Sequence, residues 1–216
     1  MPQFSSYLHS VVYSWLMPSI NLEQEGLAMK FISYTFILSL TIVLNNVWAD
    51  TSALNHYKTL TMLEGDWILS PAGVQEGGAT KKAPAAKLID TDITAMSFKV
   101  VGKGSAVQEN LLPGTGKEMV SMYHCNDFKN CSQVQAKHYC AKQNQPELVL
   151  DDAKSNDRVI IMACDMNTPL CNSGEGHVHM IKHELSQDRN HLKTTYTIYT
   201  NGKHEKDSIY HFDRKE

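Results

Sequence analysis

The sequence predicts an all-β fold, an up-and-down antiparallel barrel preceded by one short helix. Three observations predict it. Nine or ten short runs of alternating polar and apolar residues follow one another from Gly65 to Arg214. Turn-forming residues separate almost every pair of runs. Only one stretch, Thr51 to Leu63, has helical spacing, through Leu54, Tyr57, Leu60 and Leu63. Sequential short strands joined by tight turns close into meander barrels, which removes the exposed edges that would otherwise aggregate. The strand pattern alone leaves an open β-sandwich as the alternative.

The elements read in order as follows. Gly65 to Leu69 is a first strand, and Pro71 to Ala86, rich in Gly, Ala, Lys and Pro, is a mobile loop. Ile93 to Val101 places Met96, Phe98 and Val100 on one face; Gly102-Lys103-Gly104 turns, and Ala106 to Leu112 returns. Pro113-Gly114-Thr115-Gly116 is the next turn. With Lys117 it resembles part of a phosphate loop, but the spacing is wrong and Glu118 follows the lysine. Glu118 to Cys125, Gln133 to Ala141, Leu148 to Leu150, Val159 to Cys164, His177 to Leu185, His191 to Thr200 and Lys206 to Arg214 complete the series. Asn201-Gly202 and Gln187-Asp188-Arg189-Asn190 are hairpin signals.

The first fifty residues differ. Met29-Lys30 is followed by an apolar run from Phe31 to Leu44, then Asn45-Asn46 and Val47-Trp48-Ala49. A charged start, an apolar centre and small residues before Asp50 are the parts of a secretory signal. The run is shorter than the about 20 apolar residues needed to span a bilayer. The expected organisation is an upstream start-site extension over 1–28, a signal peptide over 29–49 and a single barrel domain over 50–216. The product is then periplasmic or secreted, with no stable membrane span after cleavage. Lys+Arg 20 against Asp+Glu 23 gives no electrostatic case for nucleic acid or an anionic membrane.

Export makes disulfides plausible. Cys125 with Cys131 and Cys164 with Cys171 are the pairs close in sequence, leaving Cys140 as a free thiol. Each short closure is worth roughly 2–2.5 kcal/mol in the chain-entropy model. The spacings do not make a paired CxxC zinc site.

Gly65-Asp66-Trp67 resembles the Gly-x-Trp of lipocalin-like (calycin) barrels. Lys117 to His124, then His138-Tyr139-Cys140-Ala141, Asn144-Gln145-Pro146 and His177-Val178-His179, resemble a group of small, uncharacterised bacterial lipocalin-like proteins. The resemblance spans about Leu63 to Arg214. It implies a barrel in which Arg214, near the end of the last strand, packs on Trp67. It implies no reaction.

Alternation places His138 and Cys140 with Val134 and Ala136, on the apolar, inward face. It places His177, His179 and His183 with Ile181 and Leu185. His138, His177 and His179 would then converge in the barrel, with Cys140 and Tyr123 as further ligand contacts. The first expectation is a binding protein for a small hydrophobic or amphipathic ligand. The second is zinc or haem held by the three histidines. The third is an enzyme with His138 or His179 as general acid or base. The fourth is a fully packed structural protein of the envelope. Tyr196, Tyr199 and Tyr210 are read as core or as an aromatic wall to a ligand. No Gly-x-Ser-x-Gly elbow is present.

Overall fold

The computed structural model describes residues 52–76, 81–127 and 129–216. The expected signal peptide and upstream extension lie outside the described residues. Among the described residues, one α-helix, α1 (Ser52–Thr61), precedes ten strands. These are β1 (Gly65–Leu69), β2 (Thr94–Val101), β3 (Ala106–Leu111), β4 (Met119–Cys125), β5 (Val134–Tyr139), β6 (Glu147–Leu150), β7 (Val159–Cys164), β8 (His177–Leu185), β9 (His191–Thr200) and β10 (Lys203–Arg214). Each strand pairs antiparallel with its sequence neighbour, and β10 pairs with β1, so the barrel is closed. Closure decides against the open sandwich.

Alternation is what lets these residues enclose a core. In β3, Val107, Glu109 and Leu111 are buried while Ala106, Gln108 and Asn110 are partly exposed. In β5, Val134, Ala136 and His138 are buried and Tyr139 is exposed. Helix α1 buries Ala53, Tyr57 and Leu60 against the end of the barrel bounded by β2, β4, β5 and β7. The Tyr57 hydroxyl donates to the Gly104 carbonyl at 2.8 Å, tying that helix to the β2–β3 turn.

The β1–β10 seam carries the Trp–Arg contact implied by the resemblance. Trp67 is fully buried and donates its indole N–H to the Leu63 carbonyl at 2.9 Å. The Arg214 guanidinium lies 4.2 Å from the Trp67 ring centroid. It also donates to the carbonyls of Met62, Glu64 and Arg189. Gly65 has φ +128°, a conformation that favours glycine, and an added Cβ would come within 3.2 Å of that guanidinium and press on it.

The turns follow their residues. Asn201 and Gly202 both have positive φ, as a two-residue hairpin demands. Glu118 accepts from the Gly114 backbone N–H at 2.9 Å, so the glycine-rich segment is a self-closed turn. Within the long loop, the described flanks form two short 3-10 turns, and Ala85 is buried. Both expected disulfides are present, and Cys140 is the free cysteine. Among the described residues, no helix is long and apolar enough to cross a membrane.

Candidate functional site

Two layers fill the barrel away from α1: a buried polar cluster across its middle, and an open cavity above.

The cluster is built on register. Glu109, Ser121 and His138 are direct cross-strand partners on β3, β4 and β5, all inward. His183 and Thr194 are partners on β8 and β9. All five are buried, as are Tyr123 and Tyr196. The Tyr196 hydroxyl donates to Glu109 Oε1 at 2.5 Å, and the Tyr123 hydroxyl donates to Glu109 Oε2. His183 Nε2 lies 3.2 Å from Glu109 Oε2 and 3.1 Å from the Tyr123 hydroxyl, while its Nδ1 lies 3.0 Å from Thr194 Oγ1. Ser121 Oγ lies 3.4 Å from Glu109 Oε1 and 2.9 Å from His138 Nδ1. His138 Nε2 is buried with no hydrogen-bond partner among the described residues.

These contacts set the ionisation. Burial by itself would raise the Glu109 carboxyl; the hydrogen bond and charge of His183, with the two tyrosine donors, outweigh it and hold Glu109 below the usual range. Burial, then the Glu109 charge, pushes Tyr123 and Tyr196 well above the usual phenol value. Burial pushes His138 down to about 4, against the pull of Glu109. The result is an ionised, hydrogen-bonded carboxylate in the barrel interior, beside an imidazole held neutral.

Above the cluster lies a cavity of about 570 Å³. Leu112, Met119, Val178, Ile198, Tyr196 and Tyr210 give it apolar and aromatic walls, and Cys140 contributes its thiol. Lys82, Lys117, Lys142 and Lys206 border it against one carboxylate, Asp207. Lys206 pairs with Glu205; the other three lysines make no ion pair among the described residues. Tyr196 belongs to both layers, lining the cavity while donating to Glu109. The Cys140 thiol is half-buried, 3.9 Å from Met119 Sδ, and burial raises its pKa.

His138 and Cys140 thus lie inward as alternation requires. Tyr123 is inward too, but in the polar cluster rather than among the residues bordering the cavity. His177 and His179 do not join them. The β8–β9 register slips between Val178 and Met180, making His179 the extra residue of a bulge. Val178, opposite Ile198, therefore turns into the cavity, and His177 falls opposite Tyr199. The expected convergence of His138, His177 and His179 is corrected on this point: a one-residue slip reverses the phase of the strand. The His179 ring stacks on Tyr199 with centroids 3.9 Å apart. His177 Nε2 lies 3.1 Å from His179 Nδ1, and one ring nitrogen of each histidine gathers with Cys164 Sγ, all within 4.8 Å of one another. Burial, then the neighbouring His177, lowers the His179 pKa.

The sequence reading missed Glu109, Ser121 and the rim lysines. Glu109 was visible in principle: Val107-Gln108-Glu109-Asn110-Leu111 puts the acid on the apolar face. The lysines sit in turns and at strand ends, and no periodicity marks them. No protein-family model matches the chain, and no curated protein matches it significantly.

Proposed function

We propose that the protein is an exported carrier of one small ligand with an apolar body and an anionic head, seated in the mouth of the barrel. The observation that carries this reading is the cavity. Its volume of about 570 Å³ is that of a small-molecule site, its walls are apolar, and its rim concentrates lysines on a chain whose net charge is −3. An apolar body would leave water among Leu112, Met119, Val178 and Ile198. A carboxylate, sulfonate or phosphate head would meet Lys82, Lys117 and Lys142. Tyr196, held by Glu109, would supply a fixed aromatic floor whose hydroxyl is already engaged. The head is thus assigned to lysines rather than to His138, His177 and His179. Membership of the lipocalin-like group fits the closed barrel and the Trp67–Arg214 contact. Export fits the two disulfides and the signal-like segment.

Titration of the purified protein with a fluorescent long-chain carboxylate, against the methyl ester of the same probe, tests the reading. One equivalent of the acid should bind in the micromolar range and the ester about tenfold more weakly. Lys117→Glu with Lys142→Glu should weaken the acid about tenfold and the ester little, since two reversed charges act only on the charged head. Equal binding of acid and ester would remove the anionic head from the proposal, and no binding of either would remove the carrier.

A further inference from the structure

At the same end of the barrel, but outside the cavity, Cys164 closes β7 and His177 opens β8. The loop between them carries Cys171, bonded to Cys164. We propose that these residues with His179 form a redox-gated Cys₂His₂ zinc site: closed to metal while the disulfide stands, opened by its reduction.

Three observations point there. The first is distance. Two nitrogens bound to one tetrahedral zinc at about 2.0–2.1 Å lie about 3.3 Å apart, and His177 Nε2 and His179 Nδ1 are already 3.1 Å apart. Cys164 Sγ and one ring nitrogen of each histidine lie within 4.8 Å of one another, and Cys171 Sγ is one covalent bond away from Cys164 Sγ. The second is orientation. His177 Nδ1 lies 2.7 Å from the Glu175 carbonyl, to which it donates. That bond places the proton on Nδ1 and makes Nε2 the acceptor of the His179 Nδ1–H. An ion entering between the two nitrogens would take the place of that proton, with His179 keeping its proton on Nε2, and backbone carbonyls orient metal-binding histidines in this way. The third is access. His177 is buried and His179 is half-buried, its ring steadied on Tyr199, so the pair is sheltered on one side and reached from solvent on the other.

The gate is the sulfur chemistry. A disulfide sulfur is neutral and a poor ligand, and two imidazoles alone hold zinc weakly. A dithiol reductant would transfer two electrons and two protons by exchange. It becomes a disulfide itself, and Cys164 and Cys171 become two thiols. Binding one Zn²⁺ then releases both thiol protons and gives two thiolate and two neutral imidazole ligands. At a Zn–S distance of about 2.3 Å the two sulfurs must part to about 3.8 Å, and Cys171 lies on a loop free of strand pairing. This site uses none of the residues assigned to the carrier cavity, and neither proposal depends on the other.

The test is zinc titration of the full protein, by competition with a chromophoric chelator, before and after reduction with a phosphine. The phosphine takes up oxygen from water as the disulfide is cleaved and does not compete for the metal as a dithiol would. Reduction should raise zinc affinity at least tenfold at one equivalent. Cobalt(II) in place of zinc should show a tetrahedral visible spectrum with a thiolate charge-transfer band. Reduction also opens Cys125–Cys131, so C125S/C131S and C140S should leave the gain intact, and C164S/C171S should abolish it. H177Q/H179Q keeps the disulfide that holds the loop. It decides the matter should the cysteine variant not fold, and it too should abolish the gain. A gain below tenfold overturns the proposal, as does one that survives H177Q/H179Q or vanishes in C125S/C131S.

Discussion

His138 shows what one inward residue demands of its surroundings. Its ring is fully buried, its Nδ1 is engaged by Ser121, and its Nε2 has no partner among the described residues, so protonation there would leave a charge in a site built for a neutral group. The folded pKa of about 4 lies below the unfolded value of about 6.5. Between those values the unfolded chain binds the proton and the folded chain does not. The contribution is therefore intact above pH 6.5 and lost as pH falls towards 4, by roughly 3 kcal/mol in all. Urea denaturation at pH 7 and pH 4.5 should show wild type losing more stability than His138→Asn by most of that amount; equal losses would mean His138 titrates normally. The inward positions of His138 and Cys140 were legible because β5 is regular and its apolar residues fix the phase. Glu109 was as legible by the same rule, but an acid is read as solvent-facing unless its strand neighbours are weighed. The partners that make its burial tolerable, Tyr123, Tyr196 and His183, come from three other strands and have no sequence signature.

At the scale of elements, the strands were legible almost to the residue because each is a short alternating run bounded by Gly, Pro, Asn or Asp. Strand β10 begins three residues earlier than its alternation suggested, because Asn201-Gly202 reverses the chain so tightly that pairing starts at once with Lys203 opposite Thr200. The bulge in β8 was not legible. His177-Val178-His179-Met180-Ile181 alternates acceptably in either phase, and only the pairing of both flanks with β9 settles it. Val178 stands opposite Ile198 and Met180 opposite Thr197, so His179 is the residue without a counterpart. Deleting it should restore an unbroken ladder with every other pair kept. The shortened protein should show the β-rich circular dichroism of the parent and bind the fluorescent carboxylate within about threefold, since Val178 and Ile198 keep their places. A deletion that lost cavity binding would show that the bulge itself shapes the wall.

For the whole molecule, the barrel depends on its closing seam and on where its charge lies. The seam is short, with three paired positions between β1 and β10. Arg214 reinforces it by covering Trp67 and bonding three carbonyls. Arg214→Ala should cost about 1–3 kcal/mol, from the lost cation–π contact and the freed acceptors, with Arg214→Lys recovering part; chemical denaturation measures it. Charge is the second global property, and here composition misled. Near-neutral totals gave no hint of a basic rim, because Lys82, Lys117, Lys142 and Lys206 come from four separate segments and are assembled only by closure. If that rim meets an anionic head, the attraction runs through exposed charges and must be screened by salt, whose Debye length is about 10 Å at 0.1 M and about 3 Å at 1 M. Raising salt from 0.05 to 0.5 M should weaken the long-chain carboxylate by about three- to tenfold. The methyl ester should hold steady or tighten slightly, because salt strengthens apolar burial while leaving it no charge to lose. The K117E/K142E variant should lose most of this salt dependence along with its affinity. Parallel salt curves for acid and ester would place the carboxylate in water, away from the lysines, and leave the cavity selecting its ligand by shape alone.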